Sequence, residues 1–297
     1  MENIENYLEK IQIDICDEVS SGKSYFFMTS AGGMMGDWLS PILMHNNEIM
    51  IRIVDGSWQV LNLILRHRKF TATHPDVTPT QLRCCYFDET EEALVRASTY
   101  RKMVDIYREN IGNYSAFGFR ESSNNGFMNF QELRKSFPDC GLYFYSFDPL
   151  LRMAAFFDYL EFVNMLPEPE NFLSYCIESP YGLYGLYDAW KGAREAGASE
   201  IRVDYILKSR DNTMAQLPDL MFKLGANLEK EIEWDKVEHW RLSAEETMKK
   251  WWQAPIVSLL REKLPILDPH LWEIMNSEDQ TNKSNIEIPR INLNDYT

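Results

Sequence analysis

Apolar and polar positions along the chain alternate in two periods, and they divide it into strands and helices. Ile4, Leu8, Ile11, Ile15 and Val19 recur at helical spacing, which predicts a helix over 2–20 that Ser20, Ser21 and Gly22 stop. Residues 24–30 and 48–53 read as strands, with the Gly-rich stretch Ser30 to Trp38 between them. A helix is predicted over 57–68, a loop with two prolines over 71–82, and a long helix of alternating charge over 89–110, closed by Gly112. Residues 150–166 form an apolar helix stopped by Pro167 and Pro169, and 187–198 reads as a helix closed by Gly197. Further on, Ile201, Val203, Tyr205 and Leu207 alternate with Arg202, Asp204 and Ile206, which predicts a strand. A helix over 220–231 follows Pro218, with Asp219 at its N-cap. Ala244 to Trp252 continues the element of His239 as a helix, and 264–269 breaks the chain again.

Strands interleaved with helices predict an α/β (α+β) fold, a single domain over 1–275 on a mixed sheet flanked by helices. The strand ending at Lys208 is expected at its centre, with helices 150–166 and 220–231 packed on one face. Residues 276–297 read as a polar C-terminal tail.

Composition narrows the partners. At 297 residues and 45% hydrophobic, the chain can bury a large core. Its formal net charge of −15 argues against general nucleic-acid binding, because the phosphate backbone would be repelled. A mononucleotide needs only a local island of cations, for which Lys208, Arg210, Arg120 and Arg241 are the candidates. The five cysteines have no regular spacing and suggest reduced thiols, hence a cytoplasmic protein. His-x-x-x-His and Cys-x-x-Cys are absent, so no metal site is expected. Residues 1–20 are acidic and amphipathic rather than a signal peptide, and no apolar run reaches the roughly 18–20 residues needed to span a membrane.

The densest chemistry is Lys208-Ser209-Arg210-Asp211, followed by Asp219 and His239. Cation, hydroxyl, cation and carboxylate at a strand end can hold a phosphate and read the edge of a polar ring. The same run also reads as a polar strand end before an ordinary helix cap. The Gly-rich stretch after residue 30 lacks the Lys-Ser/Thr of a phosphate loop and reads as a turn before a helix.

This segment resembles the nucleotide-binding signature of the thymidylate synthase and deoxycytidylate hydroxymethylase superfamily, Arg-Ser-x-Asp with an Asn or Asp eight positions later. Here that position is Asp219. The resemblance implies that Lys208 and Ser209 touch the phosphate and that Asp219 selects cytosine, whose N3 and exocyclic amine a carboxyl group can match. Val237-Glu238-His239-Trp240-Arg241 resembles the family's sugar-binding His-x-Tyr, with Arg241 in place of the Tyr. Trp251-Trp252 resembles the hydroxymethylase branch. Upstream, the run Ile111 to Arg120, then Phe130-Gln131-Glu132-Leu133, Pro138-Asp139 and Tyr145-Ser146-Phe147-Asp148-Pro149 resemble further family motifs in the same order, over about 110–252.

The resemblance implies a thymidylate synthase-like fold and a homodimer joined sheet to sheet. It also implies a transferase that hydroxymethylates C5 of a cytosine mononucleotide, dCMP or CMP, with 5,10-methylenetetrahydrofolate. A thiolate adds to C6 in that chemistry and makes C5 nucleophilic. Cys176, in the strand-like run LSYCIES, is the candidate nucleophile, with Arg120 or Arg152 to favour its thiolate, and Asp105 or Glu109 is a candidate for organising water. The stronger reading of Cys176 on its own is a buried small hydrophobe, since free Cys is among the most buried residue types.

There are departures. Cys140-Gly141 stand where the family has two adjacent arginines, and Lys208 stands for an Arg. The family's nucleophile spacing falls near Asp188, so Cys176 fits only if 187–198 is an inserted helix. Two other readings stay open: a nucleotide-binding relative that has lost or replaced the cysteine chemistry, and an unrelated acidic α/β interaction protein.

Overall fold

The computed structural model describes residues 24–30, 38–45, 48–53, 114–121, 130–138, 140–179, 181–228 and 231–276. The readings for 2–20, 31–37, 57–68, 71–82, 89–110 (with Asp105 and Glu109) and 277–297 lie outside them.

Among the described residues five strands make one sheet: β1 (Ser24–Ser30), β2 (Ile49–Ile53), β3 (Ala116–Glu121), β4 (Gly141–Ser146) and β5 (Ser199–Arg202). Their order is β2-β3-β1-β4-β5, and every pairing among them is parallel. The α/β class holds, but the described sheet is parallel rather than mixed. The reason is visible in β4, which is buried from Leu142 to Ser146 because helices cover both faces. Leu142 and Phe144 join Phe117 and Phe119 of β3 under α2 (Phe130–Ser136), beside α5 (Leu183–Glu195). Tyr143 and Tyr145 point the other way, as the period of two requires, into the larger core. There Phe26 lies over Gly118, where a methyl group would come within 2.0 Å of a ring carbon, so the crossing requires glycine.

The larger core is built around α3 (Pro149–Phe162), in which every residue from Leu150 to Phe157 is buried. Asp148 starts this helix: its side chain accepts the Leu150 and Leu151 N–H groups, and Pro149 supplies a φ suited to the first turn. On α3 pack α4 (Phe172–Glu178), α8 (Trp234–Trp252) and α9 (Pro255–Leu267), and α1 (Leu39–Met44) and α7 (Arg210–Lys223) complete the same core. α10 (Pro269–Asn276) follows Asp268, which accepts a hydrogen bond from the Tyr184 hydroxyl at 2.8 Å and caps Leu271 N–H at 2.9 Å. No helix among the described residues is long and apolar enough to cross a membrane.

Several expected elements differ. The strand over 201–207 stops at Arg202, and Val203–Ile206 is a short helix, α6. Val203, Ile206 and Leu207 are buried at i, i+3 and i+4 spacing, so the helical period wins over the alternation. β5 lies at the edge of the described sheet, not at its centre. The helix expected over 220–231 begins at Arg210, and Pro218 lies inside it. Ser209 caps it by accepting Asn212 N–H at 3.2 Å, and Thr213, Leu217, Leu220 and Met221 give it a buried face that carries it through the proline. Cys176, expected on a strand, is in α4.

Candidate functional site

Beyond the carboxyl ends of β4 and β5 the surface opens into a cleft of about 510 Å³. The turn from β4 into α3 contributes Asp148 and Leu151, and the end of β5 with α6 contributes Arg202, Asp204, Tyr205 and Lys208. α8 contributes Glu245, Met248, Lys249 and Trp252, the i, i+3, i+4 and i+7 positions of one helix face.

The sheet order sets the cleft next to a topological divergence. From β1 the chain goes to β2, beyond β3, whereas from β4 it goes the opposite way to β5. Connections therefore diverge between β1 and β4, the point at which open α/β sheets take ligands at their carboxyl ends. The cleft lies on its β4–β5 side.

Three cations, Arg202, Lys208 and Lys249, meet three carboxyl groups, Asp148, Asp204 and Glu245, so the cleft is formally neutral in a chain of net charge −15. Two of the cations are committed. Arg202 donates to Asp204 through Nε at 3.1 Å and Nη2 at 2.9 Å, and Lys249 donates to Glu245 at 2.6 Å. Burial pulls the Arg202 pKa down, but the hydrogen bonds and charge of Asp204, with Glu200 and Asp148, hold it above the ordinary value. Burial raises the carboxyl pKa of Asp148 against its two backbone hydrogen bonds, with Asp204 adding repulsion and Arg202 opposing it. Lys208 is exposed and has no ion-pair partner among the described residues. The aromatic surface comes from Tyr205, 51% exposed, and from Trp252, which packs against the core with the Arg261 guanidinium 4.9 Å from its ring centroid. Cation, ring surface and half-buried carboxyl together suit a ligand with an anionic group and a flat ring.

Of the site residues expected from the sequence, Lys208 alone lines this cleft; Asp148 and Trp252 line it too, but they have no site role in the sequence reading. Arg241 lies behind it, 5% exposed, donating to Glu238 at 2.7 and 2.8 Å and to Glu245 at 2.5 Å. Those bonds, Glu238's first, raise its pKa against the pull of burial, and they fix Glu245 rather than a sugar. Ser209 is spent on the α7 cap, and Arg210 and Asp211 occupy the exposed first turn, Arg210 within electrostatic reach of Glu238. Asp219 is an exposed mid-helix residue paired with Lys223 at 2.6 Å, not a cap and not in the cleft. His239 is exposed, with its ring packed edge-on to Trp240. Arg120 is 2% exposed within β3, on the face shared by Ala116 and Gly118. Cys176 is 0% exposed, and burial pushes its thiol up to about 12.

These positions overturn hydroxymethylation of a cytosine nucleotide at C5. The expected nucleophile is a buried, protonated thiol, and the expected base reader and phosphate ligands do not converge. The cleft residues missed from the sequence were legible only in part. The stripe Glu245, Met248, Lys249, Trp252 shows helical spacing, but Asp148 and Arg202 meet it only through the parallel pairing of β4 with β5.

No family model and no curated protein matches the chain. Among solved structures it is similar to a sulfotransferase from Alicyclobacillus acidocaldarius, at 11% identity and a TM-score of 0.38, over 76% of this chain and 98% of that one. That neighbour is named for a different transfer from the C5 chemistry above. At this identity and TM-score the likeness says nothing of what this chain binds or catalyses.

Proposed function

We propose that this chain is an α/β protein that binds a small organic anion carrying a flat ring, of mononucleotide size, in the cleft beyond β4 and β5. The observation that carries this is the convergence of Lys208, unpaired among the described residues, with Tyr205 and Trp252 around a volume of about 510 Å³ at the carboxyl edge of a parallel sheet. The volume lies within the range of small-ligand sites, roughly 300–1,000 Å³. Lys208 meets the anion, and Tyr205 and Trp252 meet the ring.

Calorimetry with AMP, dCMP, dUMP and inorganic phosphate tests the reading. A ring-bearing monophosphate is expected to bind more tightly than phosphate alone, less tightly in high salt, and several-fold less tightly to Lys208→Ala. Methylenetetrahydrofolate, implied by the sequence resemblance, belongs in the same titration because it too joins a ring to carboxylates. Sedimentation of the samples reads the expected homodimer. Failure of every monophosphate to bind, or binding indifferent to Lys208→Ala, overturns the assignment.

A further inference from the structure

Charge in the cleft is ordered from rim to interior. Lys208 and Lys249 stand exposed, Lys249 with 69% of its side chain open to solvent. Asp148 is set further in, half-buried where β4 turns into α3. Its carboxyl group is divided by the cap. Oδ1 takes Leu150 N–H at 2.9 Å and Leu151 N–H at 3.4 Å, while Oδ2 receives no hydrogen bond among the described residues. Arg202, the nearest cation on the β5 side, is already forked onto Asp204. Across the cleft, Glu245 and Lys249 bond to each other.

A helix cap needs one oxygen, and Asn or Ser supplies it without placing a charge in a half-buried position. The second oxygen of Asp148 is thus surplus to the fold, in a residue that lines the cavity.

We propose that Asp148 sets the specificity of the cleft: it selects ring anions that carry an N–H donor at the end opposite the anion, with that donor held by Oδ2. The inference rests on the ligand class proposed above and deepens it. The ligand enters donor end first, and its anion stays at the lysine rim. Ring compounds of the same size with only acceptors at the far edge leave Oδ2 facing a lone pair and are rejected.

The test compares AMP with purine riboside 5′-monophosphate, which differs only by lacking the 6-amino donor. The protein is expected to prefer AMP by about tenfold, the cost of one unmet polar contact to a charged group. Asp148→Asn keeps the cap oxygen on Leu150 and Leu151 N–H and turns the surplus atom into a donor. The preference should then vanish or reverse, because the amide N–H meets the ring N1 acceptor of the desamino compound. Asp148→Ser, which caps α3 but offers no second oxygen, serves if the Asn variant does not fold, and it should bind both compounds alike. Equal binding by the unaltered protein, or an unchanged ratio in the variants while Lys208→Ala still weakens both ligands, overturns the role of Asp148 and leaves the cleft assignment standing. Absence of binding by either compound overturns both.

Discussion

Cys176 should be almost inert to alkylation in the folded protein. With its thiol near 12, roughly one molecule in 10⁴ is thiolate at pH 8, about a thousandfold less than an ordinary cysteine. A more basic thiolate is intrinsically a better nucleophile, with a Brønsted slope of about 0.4–0.5, which returns a little over one power of ten. The net chemical handicap is about 40-fold. Burial adds to it, because Sγ at 0% exposure meets a reagent only after α4 opens from α3 and α5. A pulse of iodoacetamide followed by peptide mapping, native against guanidinium-unfolded, should show Cys176 lagging by at least that factor and catching up as denaturant is added. The linkage has a definite sign. The folded thiol keeps its proton to higher pH than the unfolded one, so its contribution is full below about pH 9 and is lost as pH rises toward the folded value. Native labelling as fast as unfolded labelling would refute this reasoning and return Cys176 to the candidate nucleophiles.

Gly118→Ala places a methyl group 2.0 Å from the Phe26 ring and should destabilise the fold by about 1–3 kcal/mol in chemical denaturation, with partial recovery in Phe26→Leu. Glu48, 5% exposed, accepts Leu228 N–H at 2.7 Å, and Glu48→Ala should cost about 1–3 kcal/mol by leaving that donor unmet. Trp240 donates its indole N–H to His45 Nε2 at 3.0 Å, a bond that only neutral His45 can accept. Burial, then Lys236 and His239, lower the His45 pKa, with Glu233 opposing. That stabilisation is therefore full above about pH 6.5 and is lost as pH falls through the lower folded value. The indole proton resonance of Trp240 should shift on acidification, and the shift should be absent in His45→Gln.

Local pattern carried the fold where one period ruled. β1 is found at the expected residues 24–30, β2 one residue inside 48–53, and the apolar run beginning near 150 is α3. It failed where two periods overlap, as at 201–207, and where tertiary burial overrides a breaker, as at Pro218 in α7. The site was less legible for a physical reason. Lys208 stood out because it sits in a dense polar run, but most of what surrounds it comes from residues roughly 40–60 positions away, at Asp148 and along α8, joined by strand pairing and helix packing that no local spacing encodes. The polar run itself is accounted for by capping and surface pairing: Ser209 on Asn212, and Asp219 on Lys223.

The most direct measurement is a crystal structure of the protein with AMP. The expected result is a phosphate at Lys208 on the rim, a purine against Tyr205 and Trp252, and the 6-amino group within hydrogen-bond distance of Asp148 Oδ2. A purine bound elsewhere on the sheet edge, with the cleft between α3, α6 and α8 empty, would contradict the assignment.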